Sequence, residues 1–375
     1  MSRVYENGYR IEYPNELAYA GMPMIVRIDN ANDYAGASIT MQVGNEYYTE
    51  TRTLYEGAVV FDIARYAQMA FVDKVLSEDL SEGSASIKYP QTQQYIGLSV
   101  SLTNSDGVIA TTINTGLDAL YGYLGVKQSN GGGVRRRKWF ARYPQTFDFY
   151  ATRSSRVILA VEGGAGEVVE YKPSLSKNIQ QVAVEVSPQR IEPRLSDRTA
   201  TLTGYYGFIY LEGDDQVYTD TTSYILEIDH STSGVYLRWL NHLGQWCYYL
   251  FRPKGRNYTT KEVQTWQDGI LRNNLVPENG VLLQSGQTMH QYSQQESISL
   301  GAKLVDAETF DLLLTLTHSP IVEVLANASD YVENSATTPL WERVSVVGGS
   351  YARTAAPLQD FIVSITRNPY TSQML

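Results

Sequence analysis

Cys247 is the one cysteine of the chain, set between Trp246 and Tyr248 in a stretch that reads as a strand. A nucleophilic thiolate needs a nearby histidine or a helix N-terminus to lower its pKa. Neither is visible in sequence, although His242 lies across the same hairpin, so Cys247 is expected to be a small buried core residue. The four histidines, His230, His242, His290 and His318, stand at no metal-ligand spacing from one another. Asp214, Asp215 and Asp220 gather oxygens that calcium would accept, but the EF-hand spacing is absent and a solvated turn reads better. Carboxylates for a glycosidase pair exist in any chain with 40 acids, so they carry almost no specificity. The sequence holds no G-x-S-x-G elbow, P-loop, H-E-x-x-H or G-x-G-x-x-G opening a helix. No catalytic, metal or cofactor residue is therefore assigned, and no cofactor is expected.

Two other groups carry binding chemistry. Arg135, Arg136, Arg137 and Lys138 form the one strong charge run, directly before Trp139 and Phe140. Basic residues beside aromatics can grip nucleic acid. A net charge of −10 argues against that partner, so a contact with an acidic neighbouring subunit or a solvated strand start is expected instead. Trp139, Trp239 and Trp246, together with an unusual 29 tyrosines, are candidate aromatic contacts for a partner protein or a sugar ring.

The chain has 375 residues, enough for two or three domains. No run of about 18 apolar residues occurs, so no membrane insertion is expected. The opening MSRVYENGYRIEYPNELAYAG lacks an apolar core, so a secretory leader is not expected either. A lone cysteine excludes an internal disulfide framework.

Period-two alternation dominates the elements that must position these groups. It runs through 23–29, 37–43, 95–103, 156–161, 181–186, 206–211, 296–324 and 358–366. The aromatic hairpin 234–251 (GVYLRWLNHLGQWCYYLF) is the clearest unit, followed by a polar stretch, 253–280. Residues 61–76 instead carry apolar side chains at Ile63, Ala67, Ala70, Phe71 and Val75, which predicts one helix with Asp62 near its start. The expected fold is mainly β, with two or three β-sandwich-like domains and that single N-terminal helix. The expected boundaries are an N-terminal domain over 1–127 and a glycine-rich linker over 128–133. A central β domain over 134–280 contains the hairpin, and a C-terminal β region over 281–375 follows or completes it.

Three segments together carry a family resemblance. NELAYAGMPMIVRIDN with YTETRTLYEGAVVFDIARYAQMAF, and the 234–251 hairpin, resemble virion and tail structural proteins of phages and prophages of gut bacteria. WERVSVVGGSYARTAAPLQDFIVSI is similar to the closing strands of distal-tail and baseplate adaptor proteins. The resemblance implies a β-sandwich protein that assembles into a ring and joins a tail tube to peripheral proteins. Its partners would be other copies of itself and other tail or baseplate proteins, with nucleic acid not among them. It would reside in the virion after assembly in the host bacterial cytoplasm, where an unpaired cysteine is normal. No functional residue carries over. The competing expectations are a carbohydrate- or receptor-binding adhesin module of a tail fibre and a glycan- or cell-wall-degrading enzyme.

Overall fold

The structure, a computed structural model, describes the chain except for residues 1, 7, 15–16, 78–86, 91, 123–133, 153–155, 162–167, 177–178, 188–205, 213–222, 268–287, 335, 368–369 and 375. The fold is mainly β, as expected, but Ala307–Leu316, inside the 296–324 stretch expected to alternate as strand, is helix, and Ala328–Glu333 is a further one beyond the single helix expected. The expected linker 128–133, the acidic group Asp214, Asp215 and Asp220, and the 280/281 boundary lie outside the described residues.

The N-terminal part comprises β1 (Ser2–Glu6), β2 (Tyr9–Tyr13), β3 (Leu17–Tyr19), β4 (Ile25–Asp29), β5 (Gly36–Val43), β6 (Glu46–Thr53) and β7 (Val59–Asp62). The helix α1 (Ala64–Ser77), β8 (Ile87–Lys88), β9 (Gln93–Thr103) and β10 (Ile109–Leu120) follow. Sheets ordered β1-β2-β4-β7 and β3-β10-β9-β5-β6 share one core, built from alternate residues such as Val26, Ile28, Ile39, Met41, Leu98 and Val100. The predicted helix begins three residues later than expected. Phe61 and Asp62 stay in β7, where Phe61 pairs with Val26 and is fully buried. Asp62 then accepts a hydrogen bond from the Ala64 N–H at 3.0 Å and starts the helix. Ala67 and Phe71 bury the helix face against the sandwich.

Asp29 ends β4 between two arginines, with Arg10 Nη2 at 2.7 Å and Arg27 Nε at 2.8 Å. Burial pushes its carboxyl pKa up, but the hydrogen bonds from Arg10 and Arg27 outweigh burial and hold it below the ordinary 3.8. A depressed folded pKa means stability that is complete above the unfolded value and is lost as pH falls through the folded one. Asp29→Asn is therefore expected to flatten the acid limb of the urea midpoint against pH below about 4. An unchanged acid limb would refute this role.

The second part holds β11 (Val134–Phe140), β12 (Thr146–Thr152), β13 (Arg156–Val161), β14 (Val168–Tyr171), β15 (Ile179–Glu185), β16 (Tyr206–Glu212) and β17 (Ser223–Asp229). Its sheets run β11-β17-β16-β13-β14 and β12-β15-β8, with β8 reaching in from the N-terminal segment. They enclose a separate core that includes Phe149, Leu159, Val182, Val184 and Leu226.

The last part contains β18 (Val235–Leu240), β19 (Trp246–Gln267), β20 (Thr288–Val305), α2 (Ala307–Leu316), β21 (Val322–Leu325), α3 (Ala328–Glu333), β22 (Trp341–Val346), β23 (Gln359–Arg367) and β24 (Tyr370–Met374). The order β19-β18-β21-β22-β23-β20 closes on itself through β19–β20 pairing, so six antiparallel strands form a barrel. The 234–251 hairpin is barrel wall, paired through Leu237–Trp239 with Val322–Val324, and β19 continues past it from Arg252 along β20, so the β19–β20 ladder spans the expected 280/281 cut. A division there would sever a continuous hydrogen-bonded ladder. The barrel core is also continuous with that of the N-terminal sandwich, whereas the second part keeps its own.

Candidate functional site

The basic run sits on β11, which pairs in parallel with β17 from Val134↔Ser223 to Phe140↔Asp229. That strand stands beside α2, so the run meets acids of its own chain. Arg137 Nη1 lies 3.2 Å from Glu308 Oε1, which also accepts the Arg136 backbone N–H at 3.1 Å. The Arg137 guanidinium faces the Tyr224 ring at 5.9 Å. Lys138 Nζ lies 3.4 Å from Glu227 and 3.9 Å from Asp229. The run is thus split. Arg137 and Lys138 brace the second part within the chain, while Arg136 is exposed and Arg135 half-buried. Arg137 and Lys138 thus have acidic partners within the chain: Arg137 meets Glu308 of α2, and parallel pairing sets Lys138 beside Glu227.

The aromatic expectation changes more. Trp139, Trp239 and Trp246 are 1%, 0% and 4% exposed. A stacking partner needs an open ring face, so these tryptophans do not form a contact surface for a sugar or a protein. The β18–β19 wall is covered on both sides, which is why its tryptophans are buried. The Trp239 indole N–H donates to Thr315 Oγ1 on α2 at 2.8 Å. On the second part's side, Tyr248 Oη stands 2.8 Å from Thr146 Oγ1 and Tyr236 Oη donates to the Pro144 carbonyl at 3.0 Å. The Trp246 backbone N–H donates to Asp148 Oδ2 at 2.7 Å.

Cys247 shares this wall and is buried, as its place in the hairpin predicts. Burial pushes its thiol pKa up to about 12, with Arg137 pulling the other way. It remains a thiol at neutral pH, which is unsuited to nucleophilic attack. Among the described residues, no three of His, Cys, Asp and Glu stand together in a way that could hold a metal ion. A cavity of about 190 Å³ opens where Tyr121 and Gly122 meet His242, Asp311 and His318. It marks the junction between the N-terminal sandwich and the barrel.

Two surfaces escaped the sequence reading. The first is the outer face of the N-terminal sheet, where strand register aligns Thr49, Thr40, Ser99 and Asn114, and beside them Thr51, Ser38, Ser101 and Thr112. These rows are uncharged, on an acidic chain. Period-two alternation was visible there, but which face lacked a covering layer was not.

The second surface is a ribbon. From Arg252 to Gln267, β19 leaves β18 and pairs only with β20, as far as Gln267↔Thr288. Strand β24 joins the far side of β20 from Gln294↔Tyr370 to His290↔Met374. The polar stretch after the hairpin is therefore strand through Gln267. Pro253 is tolerated because β19 is an edge strand from Arg252 onward and a ladder irregularity falls at Pro253/Gly255. Residues 252–260 are all exposed, and among the described residues no other strand or helix packs extensively over the ribbon beyond the barrel. Comparison with protein-family models finds no matching family, and comparison with curated proteins finds no similar one.

Proposed function

We propose that the chain is a self-associating structural protein, a tail or baseplate adaptor whose copies form a ring linking a tail tube to peripheral proteins of a virion. The resemblance of three segments motivates the virion setting. The observation that carries self-association is the ribbon. Ten residues, Tyr258–Gln267, extend it about 30 Å at roughly 3.3 Å per residue. Short ribbons lacking a core are marginal in water, so this one gains most from a partner surface. A geometric role also suits the inert wall around Cys247 and the buried tryptophans.

Light scattering on the purified full chain, with electron microscopy of the same sample, tests the reading. Closed rings of several copies are expected. A strictly monomeric chain at high protein concentration would overturn it.

A further inference from the structure

We propose that the ribbon of one copy docks on the acidic N-terminal sandwich of the next, a head-to-tail contact that repeats around the assembly. This inference rests on the self-association proposed above and names the two surfaces that meet.

Charge is distributed unevenly along the chain. Residues 1–122 hold seven basic and fifteen acidic residues, a net −8, most of the chain's −10. The β19 segment 252–267 holds Arg252, Lys254, Arg256 and Lys261 against Glu262 alone, a net +3. Across the ladder, Glu296 is buried and shared by Arg256 at 3.4 Å and Arg367 at 3.4 Å, so one carboxylate serves two guanidinium groups. Arg252 and Lys254 are exposed and make no ion pair among the described residues. The outer edge of this segment pairs with no described strand, leaving a row of backbone donors and acceptors open.

A basic ribbon on a strongly acidic chain has its complement on a second copy of that chain. The complement lies at one end of the N-terminal sandwich, where three turns are tied together. Ala31 N–H donates to the Gly57 carbonyl at 2.9 Å, Ala35 N–H to that of Thr103 at 2.9 Å, and Leu54 N–H to that of Ala35 at 3.1 Å. These turns present Asp33, Glu56 and Asp106, all exposed, with no ion-pair partner among the described residues. Opposite potentials on two different surfaces favour a heterologous contact, the kind that generates rings when the rotation closes. Two copies meeting by their acidic ends would instead repel each other.

The test uses the full chain with exposed charges reversed, circular dichroism verifying the fold of each variant. Arg252→Glu with Lys254→Glu reverses the ribbon, and Asp33→Lys with Glu56→Lys reverses the turns. Each double variant alone is expected to associate at least about tenfold more weakly than the wild type in sedimentation. An equimolar mixture of the two is expected to regain association, because each reversed surface then meets its opposite. Raising salt should weaken wild-type association as well. A wild type that assembles together with a ribbon variant that assembles equally well would overturn the inference and leave the proposed function standing. A mixture that stays dissociated would overturn the pairing of these two surfaces. A monomeric wild type would overturn both proposals.

Discussion

Arg238→Ala is expected to destabilise the barrel by about 3–5 kcal/mol, the cost of leaving a buried charge without its partner. The Arg238 side chain is 3% exposed and its Nε donates to Glu323 Oε2 at 2.6 Å. The guanidinium lies against two indoles, 4.9 Å from the Trp246 ring and 4.2 Å from that of Trp341. These contacts use what distinguishes arginine from lysine, a planar and weakly hydrated cation that stacks as it pairs. Arg238 and Glu323 face each other across β18 and β21, and Glu323 faces Arg343 across β21 and β22. With Arg238 truncated, Glu323 would retain Arg343 Nε at 3.7 Å, an arginine that is half exposed. The fall should appear in the urea midpoint. A double replacement, Arg238→Met with Glu323→Leu, should cost much less, because it removes both charges at similar volume. A loss below about 1 kcal/mol for Arg238→Ala would show that the pair is not the buried brace described here.

Gly122→Ala is expected to cost about 3 kcal/mol, concentrated at the junction of sandwich and barrel. Gly122 has φ +107°, a conformation that side chains rarely adopt. A Cβ there would sit 2.1 Å from the His242 carbonyl oxygen and 3.1 Å from the Gly244 nitrogen. Both obstacles are backbone and cannot rotate away. Gly244 meets the same seam from the other side, where a Cβ would lie 2.6 Å from the Tyr121 carbonyl oxygen. The two glycines thus let two main chains touch where the N-terminal and barrel cores run together. Calorimetry of the variant should show the barrel transition moving down or separating from that of the sandwich. A single unshifted transition would show that the junction tolerates the methyl group.

Some parts of the molecule are legible in sequence and others are not. Strands β4, β5 and β9 follow their alternating side chains, since each buries one face only. The helix was legible from apolar spacing, but its first residue depended on Phe61 filling the β7 ladder. The burial of Cys247 was expected because no group that would activate its thiol is visible near it in sequence. The role of Trp139, Trp239 and Trp246 was not, because a tryptophan on a strand suits an open face as well as a covered one. The β18–β19 wall is covered on one side by α2 and on the other by the second part, and nothing local to 234–251 records that.

Local chemistry in the sequence by itself determined the mainly β character, the position of α1, the 234–251 hairpin and the uneven distribution of charge. These depend on side-chain period, turn residues and composition over a few neighbouring positions. Only the tertiary structure decided that six strands close into a barrel and that β11 lies parallel to β17. It alone decided that Arg137 meets Glu308, 171 positions away. It also decided that β19 runs on past the hairpin to Gln267 as a ribbon with β20, exposed over 252–260. Each of these is a pairing between distant segments, set by which surfaces together bury the most apolar area and satisfy the most backbone groups. That outcome belongs to the whole chain and has no signature within any one segment.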